Sequence, residues 1–351
     1  MKRILSLEGG GIRSLYSLQV LSKVEGLLRE RTNKPDYKLC DHFDLIAGTS
    51  AGAIIASLLS SGMSVKEVIH NYHVCIQVVF RKTSWLNWFK HSYTDKYIAE
   101  ELKKLFKEAD GTDALLGSKK LETLLLIVLR NATTGSPWPI TNNPKATYND
   151  PTLPDCNLNL PLWQLIRASA AAPTYFPSEI IKLGSQTFEF IDGGVSPYNN
   201  PSFLAYQIAT LPEYKLGWET GEENLFILSV GAGRARPTLP KAMHQDMNRL
   251  EHAQHVISSL LYSCSVQQDL SCRTVAKTLY GDQIDTEVEK RNDPAFPQKP
   301  QFSYTSYNIE LRSADLGNSK SFSIDNLDLA PHLEKLGRKY ADTVVEPTHI
   351  L

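Results

Sequence analysis

The 351-residue chain is 42% hydrophobic and 21% charged, a globular balance that excludes a disordered, collagen-like or membrane-spanning polypeptide. Thirty-seven basic against 38 acidic side chains leave a formal charge of −1, so no overall field draws the molecule to nucleic acid polymers or to an anionic membrane. Five cysteines (Cys40, Cys75, Cys156, Cys264 and Cys272), none spaced as CxxC, argue against a disulfide framework and a thiolate zinc site and fit a reducing compartment.

The N-terminal apolar run at residues 4–7 meets Gly9 and is too short for a secretory core, and the longest aliphatic run, residues 124–129, falls far below the roughly 20 needed to span a bilayer. A cytoplasmic chain is expected. Apolar runs predict strands over 3–7, 43–47, 123–130, 187–191 and 225–230. Between them Leu15, Leu18, Leu21, Val24 and Leu28 recur at helical spacing. So do Val65, Val68, Ile69, Tyr72 and Ile76, behind a Ser64-x-x-Glu67 capping box. Strands alternating with helices predict an α/β fold with a mostly parallel sheet. Residues 81–118 read as an insertion, helical in its second half with Tyr97, Ile98, Leu102, Leu105 and Phe106 on one face. Residues 131–161, with six prolines, read as a long loop. Past a weak boundary at residues 234–241, where Pro237 and Pro240 interrupt the pattern, a helical stretch runs to about 280. An extended segment follows through Phe302, Tyr304, Tyr307, Ile309 and Leu311, its alternation slipping between Tyr304 and Tyr307, and then a helix over 327–342.

Three motifs carry chemistry. Gly48-Thr49-Ser50-Ala51-Gly52 lies between an apolar strand and a helical run, the setting of a nucleophile elbow: Gly48 and Gly52 permit a sharp turn that projects Ser50 from the carboxyl end of the sheet. Gly9-Gly10-Gly11, after the first strand, exposes bare amide donors of the type that stabilise a developing oxyanion. A dinucleotide-binding turn is the competing reading, but its third glycine is replaced by Ser14 and no acidic residue clearly ends a second strand about 20 residues on. Asp192-Gly193-Gly194 follows the strand at 187–191, a suitable place for a base acting on Ser50.

In order and spacing, GGGxR at residues 9–13, GxSxG at 48–52 and DGG at 192–194 resemble the patatin-like phospholipase family. The segment Arg167-Ala168-Ser169-Ala170-Ala171-Ala172-Pro173-Thr174-Tyr175-Phe176-Pro177 and the turn Ser229-Val230-Gly231-Ala232-Gly233 are similar to two further family stretches. The resemblance implies a three-layer α/β/α fold, with a single domain over 1–351 whose catalytic core occupies about 1–235 and whose extension, about 236–351, packs on it. It implies a dyad of Ser50 as nucleophile and Asp192 as base, an oxyanion hole at Gly9, Gly10 and Gly11 supported by Arg13, and a phospholipid substrate met at the membrane surface. No cofactor or metal is implied, and activity is expected to survive chelation. Ser14 departs from the glycine that many relatives carry there. Length and extension are also similar to bacterial patatin-like effectors switched on by cyclic oligonucleotides in anti-phage signalling, which implies a cyclic nucleotide activator. Oligomeric state stays open, a homo-oligomer included.

The alternatives are a Ser-Asp-His triad drawing on His244, His252, His255 or His332, and a binding module without catalysis. Trp85-Leu86-Asn87-Trp88-Phe89 reads as core cover under a lid or as a lipid contact. Phe302, Tyr304 and Tyr307 with Lys335, Arg338 and Lys339 read as a half-buried strand and a solvated helix face, or as a nucleotide cradle. Residues 198–201, just past the DGG, read as a segment shaping the acyl site or, by default, as a turn and helix start.

Overall fold

The computed structural model describes residues 1–80, 92–173, 175–236, 249–284, 297–312 and 325–351. In chain order the first elements are β1 (Lys2–Leu7), α1 (Ser14–Thr32), α2 (Leu39–His42), β2 (Leu45–Thr49), α3 (Ala51–Ser60), α4 (Val65–Phe80) and α5 (Ser92–Leu105). Next come β3 (Leu124–Asn131), β4 (Pro137–Thr141), α6 (Leu162–Ser169), β5 (Glu179–Leu183), β6 (Gln186–Asp192), α7 (Ser202–Thr210) and β7 (Leu225–Val230). The chain continues through β8 (Arg234–Ala235), α8 (Arg249–Val275), β9 (Lys277–Gly281), β10 (Ser303–Tyr307), β11 (Glu310–Leu311) and α9 (Ala330–Val344).

Among the described residues nine strands form one sheet in the order β5-β6-β3-β2-β1-β7-β10-β9, with β4 also paired to β3. Five pairings are parallel, and only β4, β5 and β6 join antiparallel. The fold is mixed α/β around a mostly parallel sheet. Alternate strand residues enter two cores. Leu5, Leu7, Ile46, Leu125, Ile127, Phe226 and Leu228 pack with α1, α3 and α4, whereas Ile4, Leu45, Ala47, Leu126, Val128 and Ile227 pack against α7 and the end of α8. Burial on both faces explains why these strands read as nearly continuous apolar runs. Truncating a fully buried residue such as Leu228 to Ala would cost about 2–5 kcal/mol.

The helical spacing at Leu15, Leu18, Leu21, Val24 and Leu28 is the buried stripe of α1. The capping box forms: the Glu67 carboxylate accepts from Ser64 N–H at 2.8 Å and the Glu67 N–H donates to Ser64 Oγ at 3.4 Å. The register of β10 against β9 shifts between Tyr304 and Thr305, where the alternation slips.

Two expectations are corrected. The stretch 131–161 contains β4, an edge strand whose prolines pair as Val128↔Pro139 and Arg130↔Pro137; both face outward from the ladder at alternate positions, where the missing N–H costs nothing. The helical stretch ends at Val275, not near 280, because residues 277–281 pair with β10 as β9. Phe302, Tyr304 and Tyr307 are fully buried, so no stacking cradle is open there, while Lys335, Arg338 and Lys339 are exposed on α9. The Trp85–Phe89 cluster and His244 lie outside the described residues.

Candidate active site

The edge of β3 brings Ser50 and Asp192 together. β2 pairs with β3 up to Thr49↔Val128, and its chain then turns away at Ser50. Leu129 and Arg130 are paired by β4 on one side, so their pairing with Asp192 and Ile191 of β6 lies on the other side, which β2 has just vacated. Thr49 and Asp192 therefore occupy successive positions along one edge. Residues 142 apart meet there: Ser50 Oγ donates to Asp192 Oδ2 at 2.6 Å.

Ser50 sits at φ 55°, a left-handed conformation that costs a serine of order 1 kcal/mol and is characteristic of a nucleophile elbow. The glycines around it are required by contact, since a Cβ on Gly48 would lie 2.2 Å from Gly52 O and one on Gly52 would lie 2.3 Å from Leu7 O. Ser50 N–H donates to Ser169 Oγ at 2.9 Å, and Ser169 in turn donates to Val128 O at 2.7 Å. The strained turn is thereby tied to β3.

Asp192 is 5% exposed. Its Oδ1 accepts from Gly194 N–H at 2.7 Å and its own N–H donates to Ala171 O at 3.0 Å. Burial pushes its pKa from 3.8 to about 6, opposed by the hydrogen bonds from Ser50 and Gly194 and by the charge of the fully buried Arg167. A carboxylate held there is a better match for a proton-transfer task near neutral pH than a free one.

The glycine loop lies alongside. A Cβ on Gly9 would stand 3.1 Å from Ser50 Cβ. Gly9 N–H donates to Asn199 O at 3.1 Å and so is already used; this corrects its expected place among the free donors. Gly10 and Gly11 N–H have no acceptor among the described residues. In a trans peptide the N–H points opposite to the preceding C=O. Asn199 Nδ2 holds Gly9 O at 3.2 Å and Arg13 Nε holds Gly10 O at 3.4 Å, so those two bonds orient the Gly10 and Gly11 donors. Arg13 also reaches Gly233 O at 3.3 Å, which makes it a brace of the loop.

No histidine hydrogen-bonds to Ser50 or Asp192 among the described residues. His252 and His332 are exposed, and His255 contacts Ser259 at 3.4 Å. Sequence reading missed Ser169, Arg167 and Ala171 as supports of the site, and offered Asn199 only as one reading of residues 198–201. The first three lie in the alanine-rich stretch singled out by resemblance, and Asn199 lies in the turn after the DGG. Among the described residues one cluster with metal-ligand geometry, Cys40, Asp41 and Glu122, is remote from Ser50, beside the amino ends of the strands.

A family model described as patatin-like phospholipase matches residues 5–206, more than half of the chain. Similar proteins include a cGAMP-activated phospholipase of Escherichia coli, 29% identical over 65% of this chain and 61% of that protein. A protein of the same description from Vibrio cholerae is 31% identical over 58% of this chain and 56% of that one. Patatin-17 of Solanum cardiophyllum is 27% identical over 66% of this chain and 61% of its own length. The chain thus spans about three fifths of the length of the curated relatives it matches.

Proposed function

The chain belongs to the patatin-like phospholipase family, and from that premise we propose that it is a serine lipid acyl hydrolase acting on glycerophospholipid esters. The observation that carries this reading is the 2.6 Å bond from Ser50 to Asp192 at a strained elbow, beside amide donors with no acceptor of their own among the described residues. Ser50 Oγ attacks the ester carbonyl while Asp192 takes its proton; the oxyanion is met by Gly10 and Gly11 N–H. Collapse expels the lysolipid alcohol, protonated by Asp192, and leaves an acyl-Ser50 ester. Water then attacks that ester, giving its proton to Asp192, and the fatty acid departs as Ser50 recovers a proton. One oxyanion donor of this kind is worth about 2.7–4 kcal/mol of barrier.

The names of the E. coli and Vibrio relatives favour activation by a cyclic dinucleotide, consistent with a membrane-degrading effector of anti-phage defence that meets the bilayer peripherally. Among the described residues no helix is long and apolar enough to cross a membrane. We read 1–351 as one unit, a reading supported by β9 and β10 lying in the same sheet as β1 and by the packing of α9 on α1.

The test is labelling by a fluorophosphonate with cGAMP present and absent. Labelling of the wild type that disappears in Ser50→Ala, with cGAMP-dependent release of fatty acid from phospholipid vesicles, is expected. A wild type that neither labels nor hydrolyses under either condition would leave a binding module as the better reading.

A further inference from the structure

Glu8 is a titratable side chain, 6% exposed, that the mechanism above does not use. It follows β1 and directly precedes the glycine loop. Two amide groups converge on its carboxylate. Asn308 Nδ2 donates to Oε2 at 2.7 Å and Asn199 Nδ2 approaches Oε1 at 3.5 Å. Burial pushes the Glu8 carboxyl above the ordinary range, opposed by Ser265 and by the charges of Arg13 and Arg234, with Asp269 pushing the same way as burial. A carboxylate this buried is retained only where its donors are fixed.

Asn308 is itself fixed on three sides. Its Oδ1 accepts from Gly233 N–H at 3.0 Å and its N–H donates to Asp282 Oδ2 at 3.1 Å. Asp282 also accepts from Tyr280 OH at 3.1 Å and from Tyr340 OH on α9. The chain of bonds therefore runs from α9 and the loop after β10, through Asn308 and Glu8, to the Asn199 amide. Asn199 Nδ2 is the group that holds Gly9 O and is also bonded to Ser265 Oγ on α8 at 3.0 Å. With the carboxylate and the serine on that side, only the amide's nitrogen end fits there, and a reversed amide would set Asn199 Oδ1 against Gly9 O and Glu8 Oε1.

We propose that Glu8, held by Asn308, is a positioning residue for the Gly10 oxyanion donor, acting through Asn199, so that residues beyond the family-model match complete the catalytic loop. The proposal rests on the acyl-hydrolase reading and adds to it a defined role for the C-terminal segment. Orientation of a donor matters in the transition state, where the oxyanion exists, more than in the ground state, so its loss falls on kcat and leaves KM nearly unchanged.

The polarity of the Glu8–Asn308 contact supplies the test. Asn308→Asp sets carboxylate against carboxylate, and Glu8→Gln sets amide N–H against amide N–H. When both substitutions are combined, the new amide at position 8 can donate to the new carboxylate at position 308 while its oxygen faces Asn199. That carboxylate still accepts from Gly233 N–H. With cGAMP present throughout and a soluble p-nitrophenyl ester as substrate, each single variant is expected to lose at least about tenfold in kcat, up to about 10²-fold, with KM within about twofold. The double variant is expected to recover most of the loss. Urea unfolding of each protein establishes that it is folded; should Asn308→Asp not fold, the isosteric Glu8→Gln decides alone. Single variants that fold and keep the wild-type kcat, or that lose KM rather than kcat, overturn the proposal. A wild type without Ser50-dependent turnover overturns the acyl-hydrolase reading instead, which the Ser50→Ala control separates.

Discussion

Replacing Asp192 by Asn is expected to stabilise the protein while abolishing turnover. In the folded chain the carboxyl is lifted from 3.8 to about 6, chiefly by burial. At about 1.4 kcal/mol per pH unit, that is about 3 kcal/mol against the ionised native state. Between these two values the native protein keeps a proton that the unfolded chain has released, so stability falls as pH rises from 3.8 to about 6 and levels off above. Asn carries no charge to desolvate, and its side chain keeps both bonds, the oxygen accepting from Gly194 N–H and the amide donating to Ser50 Oγ. Above pH 6 the variant should therefore be the more stable by up to about 3 kcal/mol, and the gap should close near pH 4. With about 2.1 cal/mol/K of unfolding entropy per residue over 351 residues, this moves Tm by about 4 °C. Glu8 is raised in the same direction, but it is common to both proteins and cancels in the comparison. Scanning calorimetry of both proteins from pH 4 to 8, with ester hydrolysis on the same samples, measures the two effects. A variant no more stable than wild type at pH 8, or a gap that does not change with pH, refutes the reasoning.

Wild-type kcat/KM for a soluble ester should rise with pH and level off above about 6, where Asp192 is ionised; a profile still climbing above pH 8 would require another base. Ser169→Ala removes the acceptor for Ser50 N–H and the donor to Val128 O, and urea unfolding should show a loss of about 1–3 kcal/mol with a parallel fall in kcat. Gly10→Ala drives a Cβ to 2.2 Å from the Ala232 methyl, so the loop must shift; kcat should fall by about 10² while Ala232→Gly in the same chain restores part of it. His252→Ala, His255→Ala and His332→Ala should each leave ester hydrolysis within about twofold of wild type, since histidines without a bond to the dyad contribute no proton transfer to it.

The sharp strand–turn–helix at Ser50 was legible because its requirements are local: a buried strand, two small residues and a helix start are all written between Leu45 and Ser60. The central strands were legible for a related reason, since two-sided burial leaves Leu225–Val230 and Leu124–Asn131 with long apolar runs, broken only at Ser229 and at the Arg130–Asn131 end. Asn199 was legible only as part of a segment with two readings, and Asn308 was not legible. An asparagine after a strand or turn has many local uses, and only the three-dimensional ladder shows that these two amides converge on Glu8 from residues 191 and 300 positions away. Gly9 was misjudged because a triple glycine advertises three equivalent donors, whereas the Asn199 carbonyl has claimed one of them. β4 was missed because Pro137 and Pro139 read as breakers, and their tolerance depends on lying at an edge, a property of the sheet and not of the segment.

Asp192 reaches Ser50 through a ladder of only three residue pairs between β6 and β3. Side chains alternate between faces along a strand, so sliding β6 by a single residue would carry the carboxylate to the opposite side of the sheet. The meeting of Ser50 and Asp192, and with it the proposed activity, is consequently all-or-nothing. A sample containing misregistered chains would titrate with fewer than one active centre per molecule, while every centre that does titrate would turn over at the full rate.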